Sequence, residues 1–154
     1  GLKFGSGSAD KAFKVGHLKL LDRGIVMDPS HILDLKAFQT KFYGGMAYKR
    51  RIVAGNYQVL KTDYLIGIQS NVLSGAITIT LPNATTCIGG QKFLIKDEGG
   101  AMNSNNVVVT AKTGETIDGE QSVVINSNYA AINVYTDGSS KFFIFSSNIV
   151  DVSE

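Results

Sequence analysis

The side chains that could do chemistry in this chain are few, and their spacing narrows what they can do. The two histidines, His17 and His31, have no cysteine or second histidine at ligand spacing, so no zinc site is expected. Both precede the long Val- and Ile-rich stretch that starts at Gly75. That stretch therefore cannot assemble a Ser-His-Asp or Cys-His relay within one chain. Two carboxylate pairs remain, Asp97 with Glu98 and Asp118 with Glu120. Paired carboxylates can hydrolyse glycosides or hold calcium. Here they fall in Asp97-Glu98-Gly99-Gly100 and Asp118-Gly119, where the chain must turn. Asp at such positions is explained by bonds from its side chain to local backbone and by its tolerance of left-handed dihedrals. No strand–GxxxxGK–helix phosphate loop is present. The expectation is a protein without catalytic residues, metal ligands or cofactor.

Binding chemistry is better represented. Tyr129 and Tyr135, with Asn128, Asp137 and Ser139, are the candidate receptor contacts. Aromatic faces stack on sugar rings, and amides and carboxylates bond to hydroxyls. The same residues also suit core aromatics and hairpin turns. Lys49-Arg50-Arg51 is the sharpest charge cluster. It could grip an acidic glycan, but an exposed strand whose cations discourage edge pairing is favoured. The lone Cys87 excludes an intrachain disulfide and reads as a small buried apolar residue, in keeping with assembly in a reducing cytoplasm.

The elements that must position these residues are short strands. Ala76–Leu81, Gln91–Lys96, Asn106–Thr110, Ser122–Ile125, Ala131–Tyr135 and Lys141–Phe145 are rich in Val, Ile, Thr and aromatics. Pro82-Asn83, Gly89-Gly90, Gly99-Gly100, Asp118-Gly119 and Asp137-Gly138 punctuate them. Upstream, Tyr48–Val53, Tyr57–Leu60 and Tyr64–Ile68 add further strands, so residues 45–154 read as an all-β, sandwich-like head. Residues 1–44 read as a separate shaft or neck segment. Its start is Gly/Ser-rich, and Phe13, Val15, Leu18 and Leu20 then alternate as strands do, with a turn at Asp22-Arg23-Gly24. Over residues 30–42 two readings stand. Asp28 could cap a short helix with Ile32, Leu35, Phe38 and Phe42 on one stripe, or Leu33 and Leu35 could continue the short strands. Having no initial Met and no signal-like segment, the chain reads as a fragment of something longer.

Net charge is only +2 over 154 residues, and no apolar run approaches the roughly 20 residues of a spanning helix. Neither nucleic acid nor membrane insertion is expected. Ile77, Ile79 and Leu81 alternate with Thr78 and Thr80, giving one buried face and one wet face. By contrast Val107-Val108-Val109, Val123-Val124-Ile125 and Phe142-Phe143-Ile144-Phe145 are apolar on both faces. A sandwich supplies each strand with one inner face only, so the second needs another subunit or covering loops.

The order of these motifs from Tyr57 to Ile144 resembles the β-rich head modules of bacteriophage fibre and tail-spike proteins. The residues that carry the likeness are Ala76–Pro82, Gly90–Gly100, Asn105–Thr110, Glu115–Gly119, Ile125–Ala130 and Tyr135–Gly138. Phe13 to Leu35 looks like the end of a trimeric fibre shaft. The resemblance implies a homotrimer joined to an upstream fibre shaft, assembled in the host cytoplasm and carried on the virion. It implies a head that binds a host cell-surface glycan or protein. A decoration module without receptor binding, or an accessory domain of a polysaccharide-degrading spike, are the alternatives.

Overall fold

A computed structural model of the chain describes residues 18–21, 24–27 and 32–148. The chain divides into two compact units, Gly1–Gly45 and Met46–Glu154. Among the described residues the structure is all-β, and the only helical pieces are single 3-10 turns at Ser70–Val72 and Ala84–Thr86. No helix among them is long and apolar enough to cross a membrane.

In the first unit, β1 (Leu18–Leu21) and β2 (Gly24–Met27) pair antiparallel, with Leu18 opposite Met27 and Leu21 opposite Gly24. This matches the strand alternation expected at Leu18 and Leu20. Phe13, Val15 and Asp28–His31 lie outside the described residues. Residues 32–42 are neither helix nor strand. Both readings of that segment are therefore corrected over the residues described. The physical reason is on the surface: Ile32, Leu35, Phe38 and Phe42 are all exposed. A helix shorter than about 12–15 residues is marginal unless its apolar stripe is buried.

The second unit is built by a chain that alternates between two sheets. The larger sheet receives β3 (Arg50–Val53), β5 (Leu65–Ile68) and β7 (Lys92–Asp97), and these lie parallel to one another. The smaller sheet receives β4 (Tyr57–Gln58), β6 (Ile77–Thr80) and β8 (Val107–Thr110), also parallel. Each odd-to-even pair is one turn of a coil, so β3 to β8 wind three times, as in a parallel β-helix. Antiparallel strands then end the winding. β10 (Ser122–Ile125) closes on β8, and β11 (Ala131–Thr136) closes on β7. β12 (Lys141–Asn148) pairs with β11, with a register shift at Asn133/Val134, and β9 (Thr116–Ile117) runs parallel to its outer edge. The sheets have orders β10-β8-β6-β4 and β3-β5-β7-β11-β12-β9.

Two sheets thus face each other, as a sandwich-like reading requires, but the pairing is mixed. A coil explains this, because successive turns stack like positions on like. Ile66, Ile95 and Ile132 are paired in a row across the larger sheet, and Ile79, Val109 and Val123 across the smaller. Together with Phe93, Phe142, Met102 and Leu81 they fill one core. Cys87 belongs to that core, and burial pushes its thiol pKa up. β3 lies at the edge of the larger sheet, as expected, but its arginines turn back onto the head: Arg50 pairs with Glu98 and Arg51 lies 3.5 Å from the buried Asp63.

Candidate functional site

Alternation along each strand sends the residues between the core positions to the outside of the larger sheet. The outward row nearest one end is Lys92, Tyr135 and Phe143, which are cross-strand partners. Tyr135 and Phe143 stack with ring centroids 5.3 Å apart. Phe145 is 60% exposed, and the Lys92 ammonium sits 4.4 Å from its ring centroid. The next row runs Arg50, Leu65, Leu94 and Asn133, and the third Ile52, Gly67, Lys96 and Ala131.

Gly67 has a steric purpose. The Glu98 carboxylate lies where a Cβ at Gly67 would be, directly over the sheet. There Arg50 holds it through Nε at 2.7 Å and through a second guanidinium nitrogen, and Gln69 Nε2 donates to it at 3.0 Å. The bonds from Arg50 keep the Glu98 carboxyl below its ordinary pKa, against the opposing effect of desolvation.

The far end of this face is shaped by Asp97, which is fully buried at the end of β7. Its Oδ1 accepts from Ser70 Oγ at 2.5 Å and from the backbone N–H groups of Gly99 and Gly100 at 3.0 Å. Its Oδ2 accepts from the Tyr129 N–H at 2.9 Å. One carboxylate therefore ties together a 3-10 turn, the β7 turn and the corner before β11. Tyr129 sits in the left-handed region with φ 59°, an uncommon conformation for a bulky residue. Lys96 Nζ donates to its carbonyl, and its ring lies against Gly100, itself at φ +71°. The outcome is an exposed tyrosine clamped beside a lysine at the rim of the sheet face.

The five sequence-derived contact residues do not form one cluster. Tyr129 and Tyr135 both border the outer face of the larger sheet. Asn128 accepts from the Asn103 N–H at 2.9 Å. Asp137 is committed to the β11–β12 turn, where its Oδ1 accepts from the N–H groups of Ser139, Ser140 and Lys141 at 2.8, 2.9 and 3.0 Å. Those bonds, led by Lys141, hold the Asp137 carboxyl below its usual pKa. The six residues of β11 separate Asn128 from Asp137 and Ser139 by about 20 Å, too far for one sugar to touch both. The turn reading of the acidic pairs holds in part: Asp97 accepts from the local Gly99 and Gly100 N–H groups and Asp118 sits at φ 49°, but Glu98 pairs with the distant Arg50, and Asp118 Oδ1 accepts from the distant Ile144 N–H at 3.2 Å.

The lysine and aromatic positions of β7 and β12 escaped the sequence reading. The alternation at Lys92, Leu94 and Lys96 was legible, but that Phe145 lies beside Lys92 depends on which strands are neighbours. No known family model matches the chain, and no curated protein matches it significantly.

Proposed function

We propose that the chain is the distal part of a viral fibre, homotrimeric, whose β-head attaches the virion to a host cell-surface glycan or protein. The observation that carries this is apolar surface left open by a single copy. Phe38 and Tyr43 are essentially fully exposed, and Ile32, Leu33, Leu35 and Phe42 are exposed with them. In the head, Val124 is 56% exposed beside its cross-strand partner Val108. The outward strand positions of the smaller sheet (Gln58, Thr78, Thr80, Val108, Thr110, Ser122 and Val124) carry no charge of their own, and the one ammonium that reaches them, Lys112, donates to Gln58 at the β4 edge. Uncharged, partly apolar surface suits contact between identical copies, since symmetry then brings no like charges together. The resemblance of the strand-and-turn order to phage fibre heads supports the viral setting. The coil of parallel strands supports a rigid, elongation-compatible tip. Light scattering on the purified chain tests the assembly: a mass of three chains is expected, and a mass of one chain in dilute buffer would sink it. Competition by the purified chain for adsorption to bacterial cells tests attachment and separates it from a purely structural role.

A further inference from the structure

We propose that the outer face of the larger sheet docks an anionic glycan chain, a ligand class that narrows, and rests on, the attachment function proposed above. Three lysines occupy outward positions there: Lys92 and Lys96 on β7 and Lys141 on β12. Tyr135, Phe143 and Phe145 lie among them. The outward strand positions of this sheet hold no carboxylate. Glu98, laid over the face, is paired with Arg50 and also acts on Lys96, and Asp137 acts on Lys141. Among the described residues these two carboxylates face Arg50 and three lysines, so the face keeps an excess of positive charge, and that decides between occupants. A second copy related by symmetry would set these lysines in a shared, partly dry interface with too few counter-charges, which is unfavourable. An anionic ligand supplies the counter-charges. The aromatics complement it, because Phe145 and the Tyr135–Phe143 pair offer ring faces for the apolar faces of sugars.

The form of the face points to a chain of sugars. It is an open sheet surface, and Lys92 and Lys96 are separated by about 13 Å along one strand. A ligand that reaches both must run over several sugar units, because neighbouring units of such a chain lie much closer together than that. Lys96 spends one N–H on the Tyr129 carbonyl and keeps two for a ligand.

The test uses the full 154-residue chain and oligosaccharides in acidic and neutral pairs: hexagalacturonate with its methyl ester, and sialyllactose with lactose. Retention of acidic members alone is expected, weakening as salt screens the contact. The double variant Lys92→Gln/Lys96→Gln should lose about tenfold or more in affinity, near the worth of one or two charge-assisted bonds. Phe145→Ala should weaken binding while leaving the melting temperature unchanged, since Phe145 is exposed. Equal retention of neutral members, or acidic binding indifferent to the double variant, overturns the proposal. So does a light-scattering mass that falls to one chain in Phe145→Ser, because the face is then a subunit contact. If no acidic member binds yet the chain still blocks adsorption to cells, this proposal fails and attachment stands. If it neither binds glycans nor blocks adsorption, both fall.

Discussion

Asp97 shows how one side chain can look catalytic in sequence and be structural in fact. Its two oxygens take four donors from three separate segments, and no water-facing lone pair is left to do chemistry. Asp97→Ala should destabilise the head by at least about 3 kcal/mol in urea unfolding, because several buried donors lose their acceptor together. Gly67→Ala pushes the Glu98 carboxylate off the sheet and away from Arg50. A cost of no more than about 1 kcal/mol is expected, the worth of a partly exposed ion pair, because only the flexible end of Glu98 has to move, and the same unfolding measurement checks it. Asp137 gives a pH prediction. Its folded pKa lies below its unfolded one, so its contribution is complete above the ordinary carboxylate range of about 4 and is lost as pH falls through the folded value. Melting temperature should therefore drop less steeply below that range in Asp137→Asn than in the unaltered chain. At this scale the sequence was informative about turns, because Asp beside Gly states its backbone role locally. It was silent about Glu98 and Arg50, which come together only when β5 lies between them.

Strands were the most legible elements. Alternation in β6 and the apolar runs in β8, β10 and β12 all proved to be strands, and their two-sided apolar character is real. Phe142 is buried completely, whereas Phe145, three residues on, faces solvent. The contrast yields a prediction for β12. Phe142→Ala should cost about 3–5 kcal/mol, the usual penalty for a truncated core aromatic, while Phe145→Ala should change stability by no more than about 0.5 kcal/mol. Equal effects of the two substitutions would mean that the faces of β12 are misassigned. Residues 30–42 were illegible for the opposite reason. Their apolar spacing fits a helical stripe, but spacing becomes structure only where a partner buries the stripe, and in one copy Ile32, Leu35, Phe38 and Phe42 all stay exposed.

For the whole molecule, the coil matters most. Parallel neighbours are far apart in sequence, and the turns of the coil use unequal lengths of chain: Arg50 pairs with Leu65, but Leu65 pairs with Leu94. No fixed period therefore marks the repeat, and a sequence of short strands with turns reads equally well as an antiparallel sandwich. The coil also sorts the surface into two kinds, a mostly uncharged outer face on the smaller sheet, with Lys112 at its β4 edge, and a lysine–aromatic one on the larger. Self-association and glycan binding should accordingly respond differently to salt. Raising salt should weaken retention of acidic oligosaccharides while leaving the light-scattering mass unchanged, since screening acts on charges and not on apolar burial.

By itself the sequence determined the all-β class, the places where the chain turns, and the excess of apolar residues on both sides of several strands. All three follow from local preferences and from the two-residue period of a strand, which neighbouring residues suffice to express. Only the tertiary structure decided that the strands coil in parallel, that Asp97 is a buried knot, and that three lysines share a face with Tyr135, Phe143 and Phe145. Those facts depend on which distant strands become neighbours, and that choice is made by the packing of the common core.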